Sequence, residues 1–354
     1  MDSGRMHSSR ARGQRLARSS LPIKRTGGAR TTRVRCRVAA RPRLNAKTTM
    51  EELKATRLIT ALKTPYLPNG KFDLVCYDEF LEDQIENGVE GVIVGGTTGE
   101  GQLMSWDEHI MLIAHTVNTY GREIKVIGNT GSNSTREALH ATEQGFNVGM
   151  HASLQINPYY GKTSEAGMKQ HFLRAMDLGP AMIYNVPART GQDITTDIME
   201  SIAGHNNFIG VKECEGNERI AYYTSKGISC WSGNDDEAHD ARHEAGAVGV
   251  VSVTSNVIPG IFSKLMGDEA QPELNQKVQN LISWLFKEPN PIGINTCLSM
   301  TGQVKPVFRL PYVPYSKEMR EEGLELLKEL GADVKGHEIM KAMEDSDFVI
   351  LDSF

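Results

Sequence analysis

Lys212 ends a short apolar run, Phe208-Ile209-Gly210-Val211-Lys212-Glu213. A compact run of this kind suits a parallel strand buried on both faces. An ammonium group at such a strand end is unfavourable unless it is paired or used. A lysine whose pKa is lowered by apolar surroundings can attack a ketone and form a Schiff base. A lysine that snorkels to solvent from the same place is the alternative. Similar runs end in other groups capable of chemistry. Gly95-Gly96-Thr97-Thr98-Gly99-Glu100 offers hydroxyls and backbone N–H groups as a carboxylate cradle, or simply a tight turn into a helix. No G-K-[ST] follows, so it is not a phosphate loop. Asn157-Pro158-Tyr159-Tyr160 and Tyr184-Asn185-Val186-Pro187 bring phenols that could relay protons or merely pack. Arg189 could grip a carboxylate with two hydrogen bonds. His239 and His243 are spaced i, i+4 without an H-E-x-x-H pattern and read as a solvated helix face. One amine, several phenols and hydroxyls, one arginine and a small-residue cradle suit metal-free carbonyl chemistry on a small keto acid.

These groups need a frame that brings strand ends together. Eight apolar runs begin near Leu58, Gly91, Lys125, Ala152, Ala181, Phe208, Ile228 and Gly249. Stretches with 3.6-residue periodicity lie between them, at residues 78–87, 106–119, 134–144, 164–175, 197–203 and 236–244. Strand and helix alternating eight times predicts an α/β fold, a (β/α)8 TIM barrel, whose working residues sit at the C-terminal strand ends. An open doubly wound sheet is the alternative, but no G-x-G-x-x-G opens a helix. The barrel is expected over residues 55–272. A helical C-terminal domain follows over 273–354, with helices at 273–286, 293–301 and 316–330 and Pro-rich breaks near 289–291 and 306–314. The segment after 336 has no firm reading.

Charge is unevenly spread. Residues 1–45 hold twelve Arg and Lys24 against one acid, Asp2, leaving 26 basic and 43 acidic residues in the remainder. An Arg- and Ser-rich, acid-poor leader on an acidic body is expected to be a chloroplast transit peptide, processed near residues 34–40. A basic arm for nucleic acid is disfavoured, because no aromatic residue interleaves the basic ones and the body is acidic. No run of eighteen apolar residues exists, so no membrane span is expected. Five widely spaced cysteines without a C-x-x-C argue for reduced thiols rather than a disulfide frame or zinc site.

Several motifs in order, Gly-Thr-Thr-Gly-Glu at 96–100, Asn-Pro-Tyr-Tyr at 157–160, Tyr-Asn-Val-Pro-x-Arg-Thr-Gly at 184–191 and Gly-Val-Lys-Glu at 210–213, resemble the dihydrodipicolinate synthase family of pyruvate-dependent class I aldolases. The likeness runs from about Leu58 to Pro314. Segments at 101–109, 231–236, 288–291, 307–314 and 345–351 are similar to its plant and algal form. The resemblance implies condensation of pyruvate with aspartate semialdehyde, no cofactor, and a homo-oligomer, a tetramer by family precedent. By the same resemblance, Lys212 forms the Schiff base, and Thr97, Tyr184 and Tyr160 relay protons, Tyr160 reaching into a neighbouring subunit. Thr98 would hold the pyruvate carboxylate and Arg189 that of the semialdehyde, with Gly233 and Val251 lining the pocket. Inhibition by L-lysine is implied through Gln102, Trp106, His109, Asn133, Glu137 and Tyr159. A sister pyruvate aldolase acting on a sugar acid, and a non-catalytic lysine sensor on the same barrel, are the rival readings.

Overall fold

Eight parallel strands pair side by side in chain order and close into a barrel, the first strand pairing with both the second and the eighth. They are β1 (Leu58–Ala61), β2 (Gly91–Val94), β3 (Lys125–Asn129), β4 (Ala152–Ile156), β5 (Ala181–Asn185), β6 (Phe208–Glu213), β7 (Cys230–Ser232) and β8 (Gly249–Ser252). The computed structural model describes residues 48–353, so the leader expected over 1–45 lies outside the described residues. Every residue of β1, β2, β5, β6, β7 and β8 is buried. That two-sided burial is why these strands read as unbroken apolar runs instead of alternating ones.

The helices are α1 (Met50–Lys54), α2 (Leu74–Glu86), α3 (Trp106–Tyr120), α4 (Thr135–Asn147), α5 (Glu165–Met176), α6 (Pro187–Thr190), α7 (Thr196–Ala203), α8 (Asn217–Ser225), α9 (Ala238–His243) and α10 (Pro259–Leu265). Ser105, Ser134, Ser164 and Thr195 start α3, α4, α5 and α7 by accepting from the N–H three residues on. Glu108 completes a capping box at α3. The periodicity did not predict the short helices α1, α6 and α10, nor the longer α8. In α8 the reason is specific: it has no side-chain cap and buries only Ile220 and Tyr223, too few apolar positions to mark a face. At the N-terminal end of the barrel, Leu53 of α1 joins the cluster of inward side chains. The Trp231 indole N–H donates to the Thr56 carbonyl at 2.7 Å, tying the segment between α1 and β1 to β7.

The C-terminal helices α11 (Pro272–Leu285), α12 (Ile292–Met300) and α13 (Lys317–Leu330) share one apolar cluster with α2 and α3, to which Trp284, Leu298 and Leu327 belong together with Tyr77, Phe80 and Val117. The segment after 336, for which the sequence suggested no structure, ends in a strand. β10 (Val349–Leu351) pairs in parallel with β9 (Val307–Arg309). Among the described residues no helix is long and apolar enough to cross a membrane.

The histidine pair of α9 corrects an expectation. His239 is buried, with Nδ1 at 2.9 Å from Asp240 and Nε2 accepting from the Gln271 N–H at 2.9 Å. His243 contacts the Leu265 carbonyl at 3.0 Å. The pair joins α9 to the last residue of α10 and to the segment after it, and is not a solvated face. The i, i+4 spacing is the same in both cases, so only tertiary contact distinguishes them.

Candidate active site

The C-terminal strand ends surround one cavity of about 390 Å³, with Lys212 in its wall. The side chain of Lys212 is 93% buried by its 7% exposure, and among the described residues no carboxylate is in ion-pair contact with it. Tyr184 sits opposite Lys212 in the β5–β6 register, and the Lys212 Nζ lies over its ring, 4.3 Å from the centroid. Burial lowers the lysine pKa, and the Arg189 charge pushes the same way against the Cys214 and Asp235 contributions. Burial also holds the Tyr184 phenol well above its ordinary value, so it stays a proton donor. An amine whose charged form is disfavoured by burial, beside a protonated phenol, suits carbinolamine formation and dehydration.

Close approach to this amine depends on Gly233. A Cβ there would clash with Cys214 Sγ and stand 3.0 Å from Lys212 Cε. Cys214 also lines the cavity, and burial pushes its thiol up to about 11, which leaves it uncharged. Val251 is elsewhere. It packs in the inward cluster of β8 with Tyr184 and Trp231, while Val253, two residues further along, reaches the cavity wall. Val251 is inside the strand, whereas Val253 follows its end, where the backbone has turned to helical angles and brings a different side chain to the cavity. Asp235 Oδ2 fixes the rim at Val253 by accepting from the N–H groups of Val253 at 3.0 Å and Thr254 at 2.7 Å.

The cradle residues Thr97 and Thr98 line the cavity beside Lys212. Thr98 Oγ1 accepts from Asn290 Nδ2 at 3.1 Å, and the Asn290 carbonyl accepts from Arg189 at 3.4 Å. Asn290 thus joins the cradle to the arginine on α6. It precedes α12, and nothing in the alternation of strand and helix points to it. Its Pro-flanked segment, 288–291, is the one signal available. Behind the cradle, Lys63 Nζ pairs with Glu100 Oε1 at 2.7 Å, both fully buried, and Asn295 of α12 donates to the same oxygen. Sequence reading also missed this pair, because Lys63 lies just past β1 in a segment with no turn or motif signal.

At the far end of the cavity stand Gln102, Trp106, His109 and Tyr159. Trp106 and His109 stack at 5.3 Å and 17°. Burial lowers the His109 pKa to about 4, so the ring is neutral at physiological pH. Asn133 and Tyr160 line a second cavity of about 310 Å³, which shares Tyr159 with the first. Glu137 lies in neither lining and accepts from Arg136 at 3.1 Å. Tyr160 is 94% exposed and has φ 69°, away from Lys212's cavity within this chain.

The fold and its lysine-centred cavity are the architecture of a Schiff-base barrel. The chain belongs to the Dihydrodipicolinate synthetase family, whose sequence profile matches residues 54–330. It is 59% identical over 306 residues to the chloroplastic 4-hydroxy-tetrahydrodipicolinate synthase of Nicotiana tabacum, covering 86% of this chain and 85% of that one. Among solved structures, the chloride-inhibited dihydrodipicolinate synthase of Acinetobacter baumannii complexed with pyruvate superposes with a TM-score of 0.75 at 32% identity, covering 78% of this chain and 98% of that one. The enzyme of Cyanidioschyzon merolae with lysine bound gives 0.74 at 29% identity, covering 78% and 98%.

Proposed function

We propose that this chain is a plastid lyase that condenses pyruvate with L-aspartate 4-semialdehyde, through a Schiff base on Lys212, to give 4-hydroxy-tetrahydrodipicolinate for lysine synthesis. The observation that carries the reading is the buried, unpaired Lys212 amine over the Tyr184 ring. The neutral amine adds to the keto carbon, and the Tyr184 phenol protonates the departing hydroxyl, which leaves as water. Loss of a methyl proton gives an enamine whose carbon attacks the aldehyde of the second substrate. That substrate's own amino group then displaces Lys212, closing the ring and freeing the enzyme. Thr97 and a Tyr160 from a neighbouring subunit complete the relay. Thr98 holds the pyruvate carboxylate and Arg189 the second one, while Gly233 and, from a deeper layer, Val251 shape the wall. Incubation with pyruvate and borohydride followed by mass spectrometry tests this. A reduced pyruvyl adduct on the Lys212 peptide is expected, and an unmodified peptide overturns the mechanism.

The far end of the same cavity supports feedback inhibition by L-lysine, with Gln102, Trp106, His109 and Tyr159 in its wall, Asn133 in the adjoining cavity and Glu137 in the first turn of α4, outside both linings. An exposed tyrosine held at positive φ is unfavourable in an isolated subunit, and supports a homo-oligomer, a tetramer, in which Tyr160 is used by a neighbour.

A further inference from the structure

Lys212 and Tyr184 meet only because β5 and β6 pair in one particular register. That register is interrupted below them: Ala181 pairs with Phe208 but Met182 pairs with Gly210, leaving Ile209 as an extra residue. Gly210 allows the bulge, with φ 154° and a backbone carbonyl, that of Ser229, where a Cβ would stand. A slip of one residue beyond such a bulge would turn Lys212 out of the barrel, because successive side chains face opposite ways.

One residue beyond the reactive pair, Asn185 and Glu213 also face each other, on the outer side of the sheet and fully buried. Asn185 Nδ2 donates to Glu213 Oε1 at 2.9 Å and Oε2 at 3.2 Å, and to Asp193 Oδ1 at 2.7 Å. Its Oδ1 accepts from the Ile194 N–H at 3.0 Å. Glu213 Oε1 accepts from the N–H groups of Cys214 and Glu215, each at 2.9 Å. The Cys214 N–H is shared with the Asn185 carbonyl at 3.2 Å, and the Glu213 carbonyl accepts from the Gly233 N–H at 2.7 Å. Arg219 balances the second acid through Asp193 at 3.2 Å. An amide is the one neutral side chain that can donate to two carboxylates while accepting from the backbone.

We propose that Asn185 and Glu213 are positioning residues for the Schiff-base step, a side-chain clamp above the bulge that fixes the spacing between the Lys212 amine and the Tyr184 phenol. Neither touches substrate. The clamp rests on the reading of Lys212 as the Schiff-base residue, and its test separates the two. The time course of borohydride trapping with pyruvate is followed on the full chain, recording rate and stoichiometry. Glu213→Gln replaces an acceptor with an amide facing the Asn185 amide, and Asn185→Asp places a third carboxylate between two. Each variant is expected to reach one adduct per chain, but about 10²-fold more slowly, the effect of misplacing a reacting group by about 1 Å. The double variant restores one donor–acceptor pair and should recover about tenfold over Asn185→Asp alone. A merely structural role would instead lower the stoichiometry at the wild-type rate. Trapping of either single variant at the wild-type rate, or a double variant slower than both, overturns the clamp. If Asn185→Asp shows no cooperative unfolding transition, Glu213→Gln decides alone. Failure of the wild type to form an adduct overturns the Schiff-base reading instead.

Discussion

Lys212 and Lys63 both stand at C-terminal strand ends of one barrel and are both buried, yet only Lys63 has a carboxylate partner, Glu100 at 2.7 Å. The paired lysine stands behind the cradle, and the one without a carboxylate lines the cavity.

Replacing Lys212 should therefore stabilise the protein while abolishing its activity. The lysine pKa is lowered in the folded state, so the unfolded chain binds the extra proton and stability rises with pH as that proton is lost. Lys212→Met removes the burden at neutral pH, with an expected gain of about 1–3 kcal/mol. The gain should shrink as pH approaches the ordinary lysine value. Thermal unfolding at several pH values, with a condensation assay, measures both.

The Lys63–Glu100 pair carries the opposite expectation. Glu100→Gln leaves a buried ammonium uncompensated, and the loss should be about 3–5 kcal/mol. Lys63→Met in the same chain should recover most of it. Denaturant unfolding of both single variants and the double one gives the coupling; additive losses would contradict it.

Arg189 and Asn290 should separate the two substrates. Arg189→Ala removes a charged hydrogen-bonding group from the rim and should raise KM for the semialdehyde about 10–100-fold. Pyruvate trapping on Lys212 should be little changed. Asn290→Ala removes the amide that donates to Thr98 but keeps the backbone carbonyl that accepts from Arg189, so it should weaken pyruvate use and leave the KM for the semialdehyde little changed. Steady-state kinetics with each substrate varied in turn checks the split.

Tyr160 makes the sharpest test of a shared site. Tyr160→Phe and Lys212→Ala subunits, each nearly inactive alone, should regain activity when mixed and reassembled. A mixed dimer holds one site with an intact Lys212 and a neighbour's intact Tyr160. Loss of one relay group typically lowers the rate about 10²–10⁴-fold, so the recovery should stand clear of background. No recovery under confirmed subunit exchange would assign Tyr160 to its own chain.

What could be read from the sequence follows from which features are local. All eight barrel strands lie in the apolar runs, since two-sided burial leaves its mark on each run separately. The longer helices with a Ser or Thr cap, α3, α4 and α5, were legible; α8, uncapped and with two buried apolar residues, and the five-residue α1 were not. Lys212 was legible because a lysine ending an apolar run is conspicuous. Asn290 was not, since its importance comes from two partners 192 and 101 residues away in sequence. Val251 lies within β8 and Val253 just past its end, and the exact residue at which the strand stops, which the apolar run does not mark, decides which of them meets the cavity. The buried state of His239 depends on Gln271, which no spacing rule connects to it.

The parallel pairing of β10 with β9 bears on the order in which the chain can finish folding. β9 carries Arg309, whose buried guanidinium donates to the Leu103 carbonyl at 3.4 Å and to Glu108 at 3.0 Å, beside Gln102 and Trp106. During synthesis the earlier parts of a chain fold first, so the barrel can close while residues 349–351 are still unmade. β10, which pairs with the strand that carries Arg309, emerges only after every strand of the barrel. A truncated or stalled chain would therefore hold a complete set of reactive groups while the support beneath the Gln102–Trp106 end is still unfinished.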